Sequence, residues 1–385
     1  MSKDIFSLVP EPENAIDWVA ILQSPLGEPI SRLSAIQQNS VWHGEGDVLT
    51  HTKLVCEALV CDAEWRALPR QERQILFLSA LLHDVGKAEC TRFEEGNWTS
   101  PHHSLKGASI ARTLLWLDFG LCGTPEKQSL RESVCQLIRA HMAPIHVQDL
   151  PLPERKVIQL SEDGAQVGGF SNRLLAILAR ADALGRDCPD TKKLLDAIDF
   201  FEELARDQSC LDAPYPFTST FERYLYLSGE NRWPIPQYDT TWGQIIMLSG
   251  LPGVGKDTYI RHKLPDLPVV SLDDIRDELS VSPAAAQAWV IVAAKERAKE
   301  LLRKRQSFIW NATNLTPMIR KKQSALFHAY GASTRIVYLE TDWPELLRRN
   351  TARTRAVPQD VMQHMLEQLA PPLPSEAQDI IWNCV

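Results

Sequence analysis

Two sets of residues with phosphate-handling chemistry lie far apart in this chain of 385 residues. In the first half, His83 and Asp84 follow directly on an apolar run, 75–82. An imidazole and a carboxylate in succession at a buried helix end can both bind one divalent cation. In the last third, Gly250-x4-Gly255-Lys256 has the spacing of a loop that wraps nucleotide phosphates. The first set predicts metal-assisted removal of phosphate, and the second predicts phosphate transfer from a nucleotide.

Further histidines and a further aspartate in the first half could complete a metal site. His51 lies on an amphipathic segment, and Asp182 lies on an apolar helix face, where a carboxylate needs a partner such as a metal ion. Seven of the ten histidines fall in this half, which favours a site over scattered core residues. They are histidines 43, 51, 83, 102, 103, 141 and 146.

The order His…His-Asp…Asp over these positions resembles the HD-domain phosphohydrolase superfamily. The resemblance implies one metal held by four ligands, which are His51, His83, Asp84 and Asp182. A second metal would be held by His103 and His141, with Asp84 bridging the two. Two such cations can activate water and neutralise phosphoryl oxygens.

Other residues around this expected site carry interpretations of their own. Lys87, one turn beyond Asp84, is expected to bind the substrate phosphate. Either His102 or His103 could be the ligand at that point of the chain, and we prefer His103. His43 and His146 are interpreted as structural residues or as neighbours of the ligands.

The phosphate loop follows a predicted strand and precedes a predicted helix, which is the context its chemistry needs. Its glycines let backbone N–H groups approach the phosphates, and Lys256 reaches the β- and γ-oxygens of ATP. The next residue, usually a Ser or Thr that holds Mg²⁺, is Asp257, so either Asp257 or Thr258 serves the ion. The expected ATP-binding residues are Gly250, Gly253, Val254, Gly255, Lys256, Asp257, Thr258, Arg349 and Arg353.

Acceptor chemistry is expected from residues beyond the loop. Asp273 follows the second predicted strand of this part, where a carboxylate can take a proton from an attacking hydroxyl. Arg349 and Arg353 are four residues apart, which predicts one helical face closing over the triphosphate.

The loop, Asp-Asp-x-Arg, Ala312-Thr313-Asn314-Leu315 and the arginine segment together resemble the 5′-OH polynucleotide kinases of phage type. The resemblance covers about 140 residues, and it implies Asp273 as general base and Arg276 as a partner of the acceptor phosphate or of nearby carboxylates. Arg349 and Arg353 would be the lid arginines. Where that family has Asp-Thr-Asn this chain has Ala312, so the role is lost or passes to Asn311.

The elements that must position these residues differ between the two halves of the chain. Apolar spacing of three and four predicts helices near 48–61, 71–83, 128–142, 171–185 and 191–206, without convincing strands. Residues 212–241 mix aromatics with prolines, which predicts a linker packed on a neighbouring surface. Beyond it, strands near 244–249, 269–272, 307–310 and 335–339 alternate with helices.

The expected architecture is therefore multidomain: an all-α HD domain followed by an α/β P-loop kinase domain with a mainly parallel sheet. The boundaries are 1–211 for the HD domain, 212–241 for the linker and 242–385 for the kinase domain.

Composition is that of an ordinary globular protein, with 44% hydrophobic and 23% charged residues. The start has no signal-peptide pattern, no window resembles a membrane span, and the eight cysteines form no Cys-x-x-Cys. These features predict a cytoplasmic protein without a membrane partner. The net charge of −8 is uneven, since Lys and Arg outnumber Asp and Glu by 18 to 15 from Trp242 onward. That local excess is compatible with a phosphate-backbone partner.

The order of the two halves resembles the bacterial HD-Pnk family of RNA end-healing proteins. The resemblance implies ATP-dependent phosphorylation of 5′-OH ends and metal-dependent hydrolysis of 2′,3′-cyclic or terminal phosphates. Implied cofactors are ATP, Mg²⁺ in the kinase site and two divalent transition metals of the Mn, Co or Ni class. Implied partners are nucleic-acid ends, with RNA favoured over DNA, and a separate ligase. Two alternatives are a nucleoside kinase fused to a nucleotide phosphohydrolase, and a kinase regulated by an HD nucleotide-binding module.

Overall fold

The computed structural model describes residues 4–280, 288–353 and 356–385. The chain forms two compact units, Met1–Cys122 with Glu126–Pro216, and Gly123–Pro125 with Phe217–Val385. Within the described ranges, we find no helix whose length and apolarity would suffice to cross a membrane.

The first unit is built almost entirely from helices, as its apolar spacing predicts. Its short 3₁₀ helices are Ile5–Leu8, Arg32–Ala35 and Val147–Asp149. Its α-helices are Trp18–Gln23, Gly27–Ser31, Val48–Cys61, Ala63–Ala67, Arg70–Leu82, Lys87–Cys90, His103–Leu117, Pro125–Ala140, Ala143–His146, Pro153–Val167, Asn172–Leu184 and Thr191–Asp207.

Three helices form the centre of this unit and carry the expected metal ligands. Val48–Cys61, Arg70–Leu82 and Asn172–Leu184 pack against one another. The middle helix is buried from Ile75 to Leu82, so it is apolar on every side and can lie only in the core. Side-chain caps fix where two of these helices begin, because Asp47 accepts a hydrogen bond from the Thr50 amide and Ser171 accepts one from the Leu174 amide.

A short hairpin in this unit was not predicted from the sequence. Strands β1, Arg92–Glu94, and β2, Asn97–Thr99, pair antiparallel with Phe93 opposite Trp98. The two turn residues, Glu95 and Gly96, have φ values of 50° and 82°. Positive φ at both positions matches the right-handed twist of the flanking strands. The strands are too short for their alternation to stand out in the sequence.

The second unit contains a five-stranded parallel sheet, as expected for the kinase half. Its strands are β3 (Gln244–Ser249), β4 (Val269–Ser271), β5 (Ile309–Asn311), β6 (Ser333–Glu340) and β7 (Asp379–Cys384). The order is β4-β5-β3-β6-β7, so β3 is central and its carboxyl end opens between β5 and β6. The strand β7 was not predicted from the sequence, in which the fourth predicted strand is the last.

Helices cover this sheet and separate its strands. The α-helices are Thr220–Ser228, Lys256–Lys263, Leu272–Glu278, Ala288–Arg303, Pro317–Ala329, Trp343–Thr351 and Gln359–Gln368, with a 3₁₀ turn at Pro374–Glu376.

Residues 212–241, interpreted from the sequence as a linker, are divided between the two units. The first unit ends at Pro216 and the second continues from Phe217. The helix Thr220–Ser228 lies inside the segment, where the stretch between its prolines leaves room for two helical turns. Phe221, Tyr224 and Leu225 of this helix form a small buried cluster.

Candidate functional site

The first candidate cluster lies where the three central helices of the helical unit meet. His51, His83 and Asp182 bring one ligand atom each within 4.8 Å of the others. His51 Nε2 lies 3.1 Å from Asp182 Oδ1 and 3.4 Å from His83 Nε2. All three residues are buried, and a buried charge needs a partner inside the protein.

The second cluster lies beside the first and contains Asp84, His103 and His141. Nε2 of His103 and Nε2 of His141 are 3.3 Å apart. His103 begins the helix His103–Leu117, while His102 precedes it in the left-handed conformation and is not part of the cluster. The structure therefore brings the preferred histidine of the pair to the site.

Asp84 stands between the two histidine pairs. Its Oδ2 lies 3.2 Å from His83 Nε2 and 3.8 Å from His51 Nε2. Its Oδ1 lies 3.4 Å from His103 Nε2 and 4.0 Å from His141 Nε2. Each carboxylate oxygen thus faces one pair, which is the arrangement a bridging ligand requires.

The hydrogen bonds of the histidines fit a metal centre. Nδ1 of His83, of His103 and of His141 each lies 2.7–2.8 Å from a backbone carbonyl oxygen. A carbonyl can only accept, so each Nδ1 carries the proton and each Nε2 presents its lone pair to the cluster. Asp84 Oδ1 is buried and has no hydrogen-bond partner among the described residues. Facing lone pairs beside an unsatisfied carboxylate oxygen repel one another unless a cation lies between them.

Protonation states in the second cluster agree with this fit. Burial lowers the pKa of His103, and it lowers the pKa of His141 to about 3, so both imidazoles are neutral near pH 7. Burial disfavours the charged form of Asp84, but His83 and Lys87 outweigh it and hold the pKa of that carboxyl well below its usual range. Neutral imidazoles and an ionised carboxylate are the forms that bind divalent metals.

Two cations of the chain border the cluster. Lys87 Nζ lies 2.6 Å from Asp84 Oδ2, and Arg186 Nη2 lies 2.6 Å from Asp182 Oδ2. Lys87, Asp84, His103, His141 and Arg186 all line a cavity of about 430 Å³. The expected phosphate-binding Lys87 is therefore placed beside both the ligands and open space.

The second site is the phosphate loop of the α/β unit, between β3 and the helix Lys256–Lys263. Gly250, Gly253 and Gly255 have positive φ values of 146°, 81° and 103°. A Cβ on Gly250 would lie 2.6 Å from the Leu339 carbonyl oxygen, so this position admits only glycine. Lys256 Nζ donates hydrogen bonds of 3.0 Å to the carbonyl oxygens of Gly250 and Leu251.

Charges from its own helix and from two other segments act on this lysine. Burial lowers the pKa of Lys256 to about 8, Asp257 and Asp273 oppose that shift, and Arg353 adds to it. The four side chains therefore share one region at the carboxyl edge of the sheet. Asp273 is exposed and forms an ion pair with Arg276, which lies one turn further along the same helix.

Comparison with known proteins agrees with the two kinds of domain. Residues 48–187 match the HD domain family, and residues 245–372 match a family described as AAA domain. The chain joins an HD domain to a P-loop kinase-like domain. The chain is also 26% identical over 143 residues to L-seryl-tRNA(Sec) kinase of Methanococcus maripaludis. That alignment covers 35% of this chain and 56% of the kinase, so the chain spans about half the length of this relative.

In the HD domain, Glu45 is a residue of the site that was not predicted from the sequence. Its Oε1 lies 2.8 Å from His43 Nδ1 and 2.9 Å from His51 Nδ1, and its Oε2 accepts a hydrogen bond of 2.9 Å from the Asp187 amide. Glu45 thereby fixes the ring of His51 with Nε2 facing the cluster. His43 also packs its ring against the ring of His51, with centroids 4.8 Å apart, so it lies beside a candidate ligand. The sequence feature that could have indicated Glu45 is its position, which places a carboxylate two residues after His43.

His146 lies apart from the ligand atoms. It lines the cavity, and its Nδ1 is 3.7 Å from Asp149 Oδ2 on the surface. This placement is compatible with its interpretation as a residue outside the metal clusters.

In the kinase domain, Asn311 at the end of β5 takes part in the site. Its Nδ2 donates a hydrogen bond of 2.9 Å to Asp257 Oδ1. Thr258 Oγ1 instead accepts a hydrogen bond of 3.3 Å from Arg261 on its own helix. Of the two candidates for serving Mg²⁺, Asp257 is the one connected to the neighbouring strand.

The Thr313-Asn314 turn is hydrogen-bonded to the phosphate loop and to the strand before it. The Gly250 amide donates to the Thr313 carbonyl at 2.9 Å, and Asn314 Nδ2 donates to the Leu248 carbonyl at 2.7 Å. Asn314 is buried with φ of 45°, a conformation that asparagine tolerates better than most residues.

The expectation that Arg349 and Arg353 share one helical face was wrong. The helix Trp343–Thr351 ends before Arg353. Near this end, the Asn350 side chain exchanges two hydrogen bonds with the backbone of Val357. Arg349 lies against the phosphate loop, with Nη1 donating to the Val254 carbonyl oxygen at 3.2 Å. Arg353 acts on Lys256 from the segment after the helix.

Proposed function

We propose that this chain heals broken nucleic-acid ends, with RNA as the favoured substrate. It would phosphorylate 5′-OH ends with ATP and hydrolyse 2′,3′-cyclic or terminal phosphates at the other end. The observation that carries the proposal is the presence, in one chain, of a histidine–aspartate centre and a complete phosphate loop. One set of groups fits phosphate removal and the other fits phosphate transfer, and a broken strand needs both.

In the HD domain, we propose that four residues hold the first metal, namely His51, His83, Asp84 and Asp182. His103 and His141 hold the second with Asp84 as the bridge. Divalent cations bound there would supply an activated water and neutralise charge on the phosphoryl group. Imidazole-rich ligation favours the transition metals of the Mn, Co and Ni class over Mg²⁺. Lys87 would bind a phosphate oxygen, because its ammonium lines the cavity beside Asp84.

In the kinase domain, Asp273 would accept the proton of the attacking 5′-hydroxyl. The oxygen of that hydroxyl then bonds to the γ-phosphorus of ATP while the bond to the β–γ bridging oxygen breaks and ADP leaves. Lys256 and Arg349 would stabilise the negative charge on the transferring group, since both donate hydrogen bonds to carbonyl oxygens of the phosphate loop. Mg²⁺ would accompany the ATP.

The similarity to L-seryl-tRNA(Sec) kinase supports an acceptor carried by RNA. That protein is named for a kinase activity on an aminoacyl-tRNA. The local excess of Lys and Arg from Trp242 onward points the same way, since phosphate backbones bind to local positive surface.

The test uses an oligonucleotide that carries a 5′-OH and a 2′,3′-cyclic phosphate. Purified protein is incubated with it, with ATP, Mg²⁺ and Mn²⁺, and both ends are mapped by mass spectrometry. We expect a new 5′-phosphate and an opened or removed cyclic phosphate. A DNA strand with a 3′-phosphate measures the preference for RNA.

The alternative functions give different results in the same experiment. A nucleoside kinase fused to a nucleotide phosphohydrolase would phosphorylate free nucleosides and leave the oligonucleotide intact. A regulatory HD module would leave the cyclic end unchanged even with metal present. Hydrolysis that survives extensive chelation would contradict the metal centre itself.

A further inference from the structure

The cavity of about 430 Å³ in the HD domain extends beyond the metal ligands. Its volume falls within the range of about 300–1,000 Å³ typical of small-molecule sites. Asp84, His103 and His141 line it together with residues that have no part in metal binding. A phosphate held at the ligands would therefore have the rest of its molecule in the same space.

Two tryptophans line this cavity from separate segments. Trp42 lies in the loop before the helix Val48–Cys61, and Trp98 lies on β2 of the hairpin; they are 40% and 38% exposed. Phe93 packs against Trp98 with ring centroids 5.1 Å apart. Asn39 Nδ2 donates to Asn97 Oδ1 at 3.4 Å, which links the loop to the hairpin. Large exposed aromatic rings in a cavity indicate a flat, partly apolar occupant.

Gln38 supplies a separate observation. It is 9% exposed and lines the cavity, and its Oε1 accepts a hydrogen bond of 2.8 Å from Lys87 Nζ. Its Nε2 has no hydrogen-bond partner among the described residues. A buried amide donor without a partner is costly, so a ligand oxygen is expected there. The orientation of the Gln38 amide is fixed, because only its carbonyl oxygen can accept the hydrogen bond from Lys87.

We propose that this cavity is a nucleoside subsite, in which the base stacks on Trp42 and Trp98. Gln38 Nε2 donates to an oxygen of the ribose or of its phosphate, and that phosphate meets Lys87 and the ligand cluster. This inference rests on the proposed phosphohydrolase function, and it adds that the HD domain recognises the base as well as the phosphate. Stacking is indifferent to base identity, so the subsite accepts all four bases.

The test compares two ligands that differ only in the base. One is a non-hydrolysable phosphonate of adenosine, with CH₂ in place of the 3′ ester oxygen. The other is the same phosphonate of 1-O-methylribose. Binding is measured by calorimetry on the full, metal-loaded chain carrying Lys256→Ala, which weakens nucleotide binding at the phosphate loop. Any residual binding at the phosphate loop is the same in all variants, so it does not affect their comparison.

We expect the adenosine ligand to bind about 5- to 150-fold more tightly than the base-free ligand, the range for stacking of one base. Trp98→Ala and Trp42→Ala should each reduce that ratio, and Trp98→Phe should largely keep it. Gln38→Ala should weaken both ligands alike. Trp289→Ala, which removes a tryptophan that is 74% exposed in the kinase domain, is the matched control and should change nothing.

Equal affinity for the two ligands would overturn the subsite, as would unchanged ratios in both tryptophan variants. Hydrolysis of adenosine 2′,3′-cyclic phosphate by the wild-type chain is measured separately. Base-dependent binding without hydrolysis would leave the subsite standing and refute the proposed function. Hydrolysis combined with base-independent binding would leave the proposed function standing and refute the subsite.

Discussion

The two sites place their central carboxylates in opposite surroundings. Asp84 is 2% exposed; its Oδ2 pairs with the Lys87 ammonium, and its Oδ1 has no hydrogen-bond partner among the described residues. The side chain of Asp273 is 72% exposed and contacts Arg276. A buried carboxylate suits permanent ligation of a metal, whereas an exposed one can be approached by the end of a polymer.

Replacing Asp273 by Asn should slow 5′ phosphorylation, because the amide cannot take the proton of the hydroxyl. We expect kcat to fall by about 10²–10⁴-fold with little change in ATP affinity, and the loss should persist at saturating acceptor. Steady-state kinetics with a 5′-OH oligonucleotide measures both. Asp274→Asn is the matched control and should be milder. Near-normal turnover in Asp273→Asn beside a dead Asp274→Asn would move the general base by one residue.

Asp257→Ala should raise the Mg²⁺ concentration required for phosphorylation by about 10-fold or more, the usual effect of losing a group that orients a metal. The reason is its position, since Asp257 accepts a hydrogen bond from Asn311 across the loop. Thr258→Ala should have a small effect, because its hydroxyl is turned to Arg261. Kinase rates over a Mg²⁺ titration decide between them, and the opposite ranking would assign the ion to Thr258.

At the scale of elements, a close approach of two helices brings the second histidine pair to the first. A Cβ on Gly86 would lie 2.1 Å from the His103 carbonyl oxygen and 2.5 Å from the Gly107 amide nitrogen. The turn after Asp84 and the helix His103–Leu117 are therefore in backbone contact. The ion pair of Arg112 with Glu132 is buried and ties the same helix to Pro125–Ala140, which leads to His141.

Gly86→Ala should consequently displace His103 and weaken the second metal site. We expect the metal content to fall from two toward one per chain, measured by mass spectrometry of the purified protein, with hydrolysis reduced in parallel. Gly107→Ala meets its neighbours at 3.2–3.4 Å and should be milder. Gly243→Ala in the kinase domain, where a Cβ meets only the Ser307 hydroxyl at 3.1 Å, serves as control. An unchanged metal content in Gly86→Ala would refute the role of this contact.

At the scale of the whole molecule, each site is complete within its own unit. The metal clusters and the cavity lie in the first unit, and the phosphate loop with its neighbouring charges lies in the second. Among the described residues of these sets, none is shared by both sites.

The two activities should therefore be separable. Asp84→Ala should abolish hydrolysis at the 3′ end while the kinase activity survives, and Lys256→Ala should do the reverse. Both are measured on the same doubly reactive oligonucleotide, with circular dichroism to confirm folding. A folded single variant that loses both activities would show that the sites depend on each other.

The sequence by itself determined the types of chemistry and the order of the two domains. His83-Asp84 and Gly250-x4-Gly255-Lys256 are local patterns, and neighbours in sequence are fixed in space by one helix end or one loop. The three central helices were predicted for the same reason, since apolar spacing of three and four reflects one buried face. The structure confirmed the predicted architecture, which is a helical domain followed by a domain with a mainly parallel sheet.

Only the tertiary structure decided how distant residues meet. His51 and Asp182 approach to 3.1 Å across 131 residues of sequence, and Glu45 contacts His51 on its other ring nitrogen without belonging to any motif. Arg353 does not lie on the predicted helical face, since the helix ends before it. Near that end Asn350 bonds to Val357, a contact that residue spacing does not reveal. Such contacts are set by packing, the sum of many weak and non-directional terms, which local sequence patterns do not encode.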